Sequence, residues 1–168
     1  MTGMIIVIMG VAGSGKTTVG ELLANELHSA FLCGDSLHPP ANIAKMTNGI
    51  PLTDSDRAPW LAAIHARIED SFRRAEDLVV GCSALKQRYR DTLDQGVANT
   101  WVYLKGSYEV IWERLEQREN HFMKPEMLAS QFADLEEPAN AIVVDINVEP
   151  SVAVRQIVSA LPSRGKAS

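Results

Sequence analysis

This sequence of 168 residues contains few cysteines, few aromatic side chains and no long apolar run, and it has more acidic than basic residues. Its two cysteines, Cys33 and Cys82, belong to neither a C-x-x-C pair nor a metal-ligand cluster, which favours buried free thiols over a disulfide. The formal net charge of −5 disfavours a nucleic-acid partner, because binding to polyanions depends on clustered cations. No segment is long enough to span a membrane and no basic leader is present, so we expect a cytoplasmic protein without a membrane partner.

The length and the 46% content of hydrophobic residues predict one domain over residues 1–162, followed by a polar tail at 163–168. Helical patterns alternate with five apolar runs typical of buried strands, at residues 4–9, 30–33, 78–82, 101–104 and 141–146. This alternation predicts an α/β fold with three layers and a five-stranded parallel sheet. Parallel sheets bind ligands at the carboxyl ends of their strands, so the residues after each run are the candidate site.

A phosphate-binding loop follows the first apolar run. It reads Gly10-Val11-Ala12-Gly13-Ser14-Gly15-Lys16-Thr17, and a helical pattern begins after it with apolar residues at Val19, Leu22, Leu23 and Leu27. We expect this loop, together with Thr18, to bind a nucleoside triphosphate through backbone N–H groups at a helix start. Lys16 would contribute a positive charge to catalysis, and Thr17 would hold Mg²⁺ with its hydroxyl group.

The carboxylate of Asp35, directly after the second apolar run, is the candidate for orienting an acceptor hydroxyl group. Alternatively, Asp35 only caps the following turn. A GTPase switch is disfavoured because no Asn-Lys-x-Asp segment is present. A remodelling ATPase is disfavoured because the third run ends without a carboxylate, at Gly81-Cys82-Ser83. A small-molecule kinase is the remaining interpretation, and a nucleotide-binding regulatory module is its competitor from another class.

Two insertions interrupt the alternating pattern. The stretch between the second and third runs has helical spacing at Leu61, Ile64, Ile68 and Phe72, and we interpret residues 36–77 as a substrate-binding lobe. Residues 114–137 are rich in charge and resemble a lid. Arg114 and Arg118 lie one helical turn apart there and could close over the transferred phosphoryl group, or they could belong to an ordinary surface helix. We favour Arg118 as the catalytic one.

Several segments in chain order resemble the gluconate kinase family. They are GDSLHP (34–39), NIAKM (42–46), GIPLTDSDRAPWL (49–61), CSALK (82–86), YRD (89–91), YLKG (103–106), NHF (120–122) and SQF (130–132). The resemblance implies a nucleoside-monophosphate-kinase-like fold, ATP with Mg²⁺ as phosphoryl donor, D-gluconate as acceptor and a homodimer. A P-loop kinase for another small hydroxylated acid, or for a shikimate-like acceptor, is the alternative.

Gluconate carries a carboxylate, so its site needs cationic and polar side chains. The candidates, beside Asp35, are His38, Arg57, Lys86 and Arg90. Arg57 is the strongest of them because a guanidinium group can donate two hydrogen bonds to a carboxylate. Each has a structural alternative: Arg57 could pair with neighbouring aspartates, Lys86 and Arg90 could form one solvated helical face, and His38 could be a structural hydrogen-bonding group. No motif marks the residues that contact adenine.

Overall fold

The computed structural model describes residues 2–117 and 127–163. Its single sheet contains five parallel strands in the order β2-β3-β1-β4-β5. The strands are β1 (Ile5–Met9), β2 (Ala30–Cys33), β3 (Leu78–Gly81), β4 (Thr100–Lys105) and β5 (Ile142–Asp145). All five predicted strands are confirmed, and none of their ends differs by more than one residue from the predicted end.

Seven helices connect or flank the strands in the described part of the chain. They are α1 (Lys16–Leu27), α2 (Pro40–Thr47), α3 (Asp54–Arg73), α4 (Gln87–Leu93), α5 (Tyr108–Glu116), α6 (Leu128–Asp134) and α7 (Pro150–Ala160). A short 3₁₀ turn, Gly34–Leu37, follows β2. The predicted substrate lobe thus contains α2 and α3, and the predicted lid range begins inside α5 and includes α6. Residues 118–126 of that range lie outside the described residues.

The central strand β1 is buried on both faces and separates two hydrophobic clusters. Ile6 and Ile8 pack into one cluster with apolar residues of α1, α5 and α7. Ile5, Val7 and Met9 face the other cluster, which contains residues of α3 and α4. This alternation follows from the two-residue period of a strand, and it confirms the three-layer prediction.

The predicted apolar face of α1 is partly wrong. Leu22 is 40% exposed, and the helix packs instead through Val19, Gly20, Leu23 and Ala24. Gly20 permits this packing because a Cβ at that position would lie 2.3 Å from Cε2 of Phe31 on β2. The spacing of leucines alone could not reveal that a glycine forms the contact.

Both cysteines are free, as the sequence predicts. Cys82 is fully buried, and burial raises the pKa of its thiol to about 12. Cys33 is partly buried. Among the described helices, none combines the length and the apolar character that a membrane crossing requires.

Candidate active site

The phosphate loop connects β1 to the start of α1 at the carboxyl edge of the sheet. Gly13 and Gly15 have φ angles of 81° and 97°, a left-handed region that side chains disfavour, and Gly15 is the N-cap of α1. Lys16 Nζ donates hydrogen bonds to the carbonyl oxygens of Gly10 and Val11, each at 3.0 Å. Ser14 Oγ is buried without a hydrogen-bond partner among the described residues. This loop geometry, with an unsatisfied hydroxyl at a helix start, fits a phosphate group.

Asp35 lies across a cleft from this loop. The cleft is lined by Lys16 and Thr17 on one side and by Asp35, His38 and Arg57 on the other. The turn that carries Asp35 is fixed because Trp60 Nε1 donates to the Gly34 carbonyl oxygen at 2.8 Å. The backbone beside Asp35 is therefore fixed at this cleft.

His38 is buried and its ring stacks on Trp60, with ring centroids 4.2 Å apart. Asn42 Nδ2 donates to the Asp56 carbonyl oxygen at 2.8 Å and lies 3.3 Å from His38 Nδ1. Because an amide nitrogen only donates, Nδ1 accepts, and the proton of the neutral ring is on Nε2. Burial lowers the pKa of His38 to about 4, against an opposing effect of the Asp35 charge. His38 is thus a neutral hydrogen-bond donor at the cleft.

Arg57 does not pair with its neighbours Asp54 and Asp56 in sequence. Its Nη1 donates to the Tyr89 hydroxyl at 3.0 Å, and its Nη2 lies 3.3 Å from Asp134 Oδ2. The guanidinium carbon is also 5.4 Å from the centroid of the Tyr89 ring. The guanidinium group lines the cleft while α4 and α6 hold it in place.

A network of charges surrounds Arg57. Lys86 Nζ lies 3.8 Å from a carboxylate oxygen of Asp54 and 3.8 Å from one of Asp134. Asp54 also accepts hydrogen bonds from Tyr89 and Arg88, and these two bonds lower the pKa of its carboxyl group. The network joins the starts of α3 and α4 to the end of α6.

Lys86 and Arg90 do not form one solvated helical face, which was the structural alternative to an acceptor contact. Lys86 is the N-cap residue of α4, with extended backbone angles, whereas Arg90 is on the helix and only 2% exposed. Arg90 donates to the carbonyl oxygens of Ala84 at 2.7 Å, Leu85 at 3.1 Å and Glu136 at 2.7 Å. Neither Lys86 nor Arg90 is among the residues that line the cleft, and the three carbonyl partners of Arg90 support a structural role for it.

Helix α6 borders the cleft, although its residues were predicted only as part of the lid range. Met127, Ser130 and Gln131 line the cleft, and Asp134 pairs with Arg57, so one face of the helix, at spacings of three and four residues, borders the site. Gln131 Oε1 accepts a hydrogen bond from the Ala12 N–H of the phosphate loop at 2.7 Å. In the sequence, the segment SQF at 130–132, which resembles the gluconate kinase family, pointed to this part of the site.

A second hollow lies on the opposite side of the phosphate loop. It is lined by Ser14, Gly15, Thr18 and Val19 and by the segment after β5, including Ile146, Val148 and Pro150. Arg114 borders it and donates from Nη2 to the Ile146 carbonyl oxygen at 2.7 Å. Arg114, on α5, thus lies at the second hollow. Arg118, the predicted catalytic arginine, lies outside the described residues.

A parallel sheet with this strand order, a phosphate loop after β1 and a carboxylate after β2 defines the protein as a P-loop protein with a kinase fold. A family model described as an AAA domain matches residues 6–137. The thermoresistant gluconokinase of Escherichia coli K12 is 47% identical over 148 residues, which cover 85% of each chain. The protein belongs to the gluconokinase family.

Two solved structures support this assignment. A gluconokinase from Sinorhizobium meliloti 1021 has a TM-score of 0.83 and 44% identity, over 94% of this chain and 90% of that one. A sugar kinase from a Janibacter species, in an unliganded structure, has a TM-score of 0.88 and 40% identity, over 94% and 93% of the two chains. The match extends over nearly the whole domain and so includes both sides of the cleft.

Proposed function

We propose that this protein transfers the γ-phosphoryl group of ATP to the 6-hydroxyl group of D-gluconate, giving 6-phospho-D-gluconate and ADP. The observation that carries the proposal is the shared cleft, in which a phosphate loop faces a carboxylate, a neutral histidine and an arginine. Membership in the gluconokinase family supports the choice of acceptor. A pure nucleotide switch needs no second set of polar side chains opposite its phosphate loop.

In this reaction the 6-hydroxyl oxygen attacks the γ-phosphorus while the bond from that phosphorus to the bridging oxygen of ADP breaks. Asp35 orients the hydroxyl group and accepts its proton, or the proton passes to the phosphate product. The Lys16 ammonium stabilises the negative charge on the transferred group. The phosphate loop holds the other phosphates through its backbone N–H groups.

Arg57 binds the carboxylate of gluconate in this proposal, with Lys86 adding positive charge nearby. The Nε2–H of His38 donates a hydrogen bond to a hydroxyl group of the acceptor. Arg57 is suited to this role because Tyr89 and Asp134 already fix the plane of its guanidinium group. An acceptor that lacks a carboxylate would leave this arginine with only its internal partners.

The nucleoside of ATP occupies the second hollow, beside Thr18 and the segment after β5, with Arg114 at its border. Thr17 would hold Mg²⁺ through its hydroxyl group. Within residues 2–117 and 127–163 there is no cluster of three histidine, cysteine or acidic side chains that could hold a metal by itself. Bound Mg²⁺ neutralises phosphate charge during the transfer.

We also propose how the chain is divided into a domain, a substrate lobe and a lid, and how it assembles. Residues 1–162 form a single kinase domain, in which residues 36–77 are the substrate lobe and residues 114–137 are the lid. Arg118 in that lid adds a positive charge to the transferred phosphoryl group. We expect a cytoplasmic homodimer, as the resemblance to the gluconate kinase family implies.

A coupled assay of ADP formation tests the function. We expect the highest kcat/KM with D-gluconate, a much lower value with D-glucitol, which has the same hydroxyl chain without the carboxylate, and little turnover with shikimate. Phosphorus NMR of the product should show a phosphomonoester on C6. Equal kcat/KM for shikimate, or ADP formation without a phosphorylated acceptor, would refute the proposal.

The variant Asp35→Asn tests the role of the carboxylate. We expect kcat to fall by about 10²-fold or more, the scale of general base catalysis, with the affinity for ATP nearly unchanged. Asp70→Asn is the matched control, because Asp70 lies in the last turns of α3 and is 57% exposed. A kcat of Asp35→Asn equal to that of the control would remove Asp35 from the mechanism.

A further inference from the structure

The peptide group between Val11 and Ala12 is hydrogen-bonded at both of its ends. Its carbonyl oxygen accepts hydrogen bonds from Lys16 Nζ at 3.0 Å and from the Ser14 N–H at 3.2 Å. Its N–H donates to Gln131 Oε1 at 2.7 Å, across 119 residues of sequence. Rotation of this peptide would turn its carbonyl oxygen away from Lys16. The orientation of the peptide therefore controls one of the acceptors that hold the lysine.

Ala12 is at the acceptor side of the phosphate loop. It lines the main cleft together with Asp35, whereas Ser14 and Thr18 line the second hollow on the opposite side. The hydrogen bond from Ala12 to Gln131 is thus made at the wall of the cleft that Asp35 also lines. A displacement of the loop at this point affects the transfer step directly, because near-attack geometry tolerates only small errors.

Gln131 is itself held rigidly enough to orient the loop. Gln131 is only 9% exposed, and Leu128, one turn earlier on α6, is 1% exposed in the core cluster that contains Ile6 and Ile8. The backbone carbonyl oxygen of Gln131 also accepts a hydrogen bond from the Leu135 N–H at 3.0 Å. Because an N–H group can donate to the amide oxygen and not to the amide nitrogen, the hydrogen bond from Ala12 determines that the oxygen of this amide faces the loop.

We propose that Gln131 is a positioning residue for phosphoryl transfer, which fixes the Val11–Ala12 peptide and through it the Lys16 ammonium group. Gln131 need not touch the reacting atoms to have this effect. The inference rests on the proposed kinase function, and it adds to the site a residue from a helix that lies about 120 positions after the phosphate loop in the chain.

The test compares Gln131→Met with Ala133→Met. Methionine has nearly the length of glutamine and cannot replace its hydrogen bond, and Ala133 is on the exposed side of the same helix. We expect Gln131→Met to lower kcat for gluconate about tenfold, with the KM for gluconate within twofold of wild type and a Tm close to that of Ala133→Met. An unchanged kcat with a lowered Tm would show a merely structural role, and an unchanged kcat with a raised KM would show an acceptor contact. Either result overturns the inference.

A second measurement separates this inference from the proposed function. If the wild-type protein phosphorylates no sugar acid, the role of Gln131 can still be tested through nucleotide binding. Calorimetry then measures the affinities of Gln131→Met and Ala133→Met for the magnesium complexes of ADP and of a non-hydrolysable ATP analogue. A displaced Lys16 should weaken binding of the analogue at least threefold more than binding of ADP. The same ratio of affinities in Gln131→Met and Ala133→Met would then refute the role of Gln131, whatever the acceptor is.

Discussion

Replacement of Arg90 by methionine distinguishes a structural arginine from one that binds the acceptor. Methionine preserves much of the side-chain volume but removes the guanidinium group, which donates to three backbone carbonyl oxygens. A buried carbonyl group left without a partner costs about 1–3 kcal/mol, although the exposed position of Glu136 lets water replace one donor. Removal of the buried charge recovers part of this cost, since burial lowers the pKa of Arg90 and so disfavours its charged form.

The net expectation for Arg90→Met is a loss of about 3 kcal/mol of unfolding free energy, which corresponds to a decrease in Tm of about 6–12 °C. Urea denaturation followed by circular dichroism measures this loss. Arg74→Met is the control, since Arg74 is 63% exposed and should lose less than about 0.5 kcal/mol. Kinetics well below both transitions should give a wild-type KM for gluconate. Wild-type stability combined with a KM raised tenfold would refute this reasoning and return Arg90 to the acceptor site.

Two further predictions concern the acceptor side of the cleft. The pKa of His38 is about 4 in the folded protein, whereas in the unfolded chain it is 6.5. Between these two pH values the unfolded chain binds a proton that the folded protein does not, so the free energy of unfolding should fall by about 2–3 kcal/mol as the pH decreases through this interval. Unfolding of wild type and His38→Gln between pH 4 and 7 measures this difference, and parallel pH profiles would contradict it. Asp134→Asn should lower the KM for gluconate two- to fivefold, because Asp134 competes with the acceptor carboxylate for Arg57 and Lys86. A raised KM would show that Asp134 mainly orders the arginine.

The sheet and the phosphate loop were predictable because their signals are local in the sequence. Continuous apolar runs are typical of strands in parallel sheets, and β1 to β5 each contain one, although the edge strands β2 and β5 are only partly buried. The loop requires glycines at fixed spacing, and Gly13 and Gly15 adopt the backbone angles that this spacing implies. The position of Asp35 followed from the rule that such sheets bind ligands where their strands end.

The partners of the charged residues were not predictable, because they come from distant parts of the chain. Arg57 contacts Tyr89 and Asp134, which are 32 and 77 residues away, and neither contact leaves a periodic signal. Lys86 and Arg90 have helical spacing, yet the helix begins between them and only Arg90 is buried. The sequence predicted which charged residues lie near the site, whereas the packing of the folded chain determines which of these side chains line the cleft.

Helix α6 contacts both the phosphate loop and the proposed acceptor site, although none of the predicted site residues lies on it. Gln131 holds the phosphate loop, and Asp134, three residues later, holds the arginine proposed to bind the acceptor. A shift of α6 would therefore alter the donor and acceptor sites together. Because both side chains belong to this one helix, the effects of Gln131→Met and Asp134→Asn on kcat/KM should not be additive.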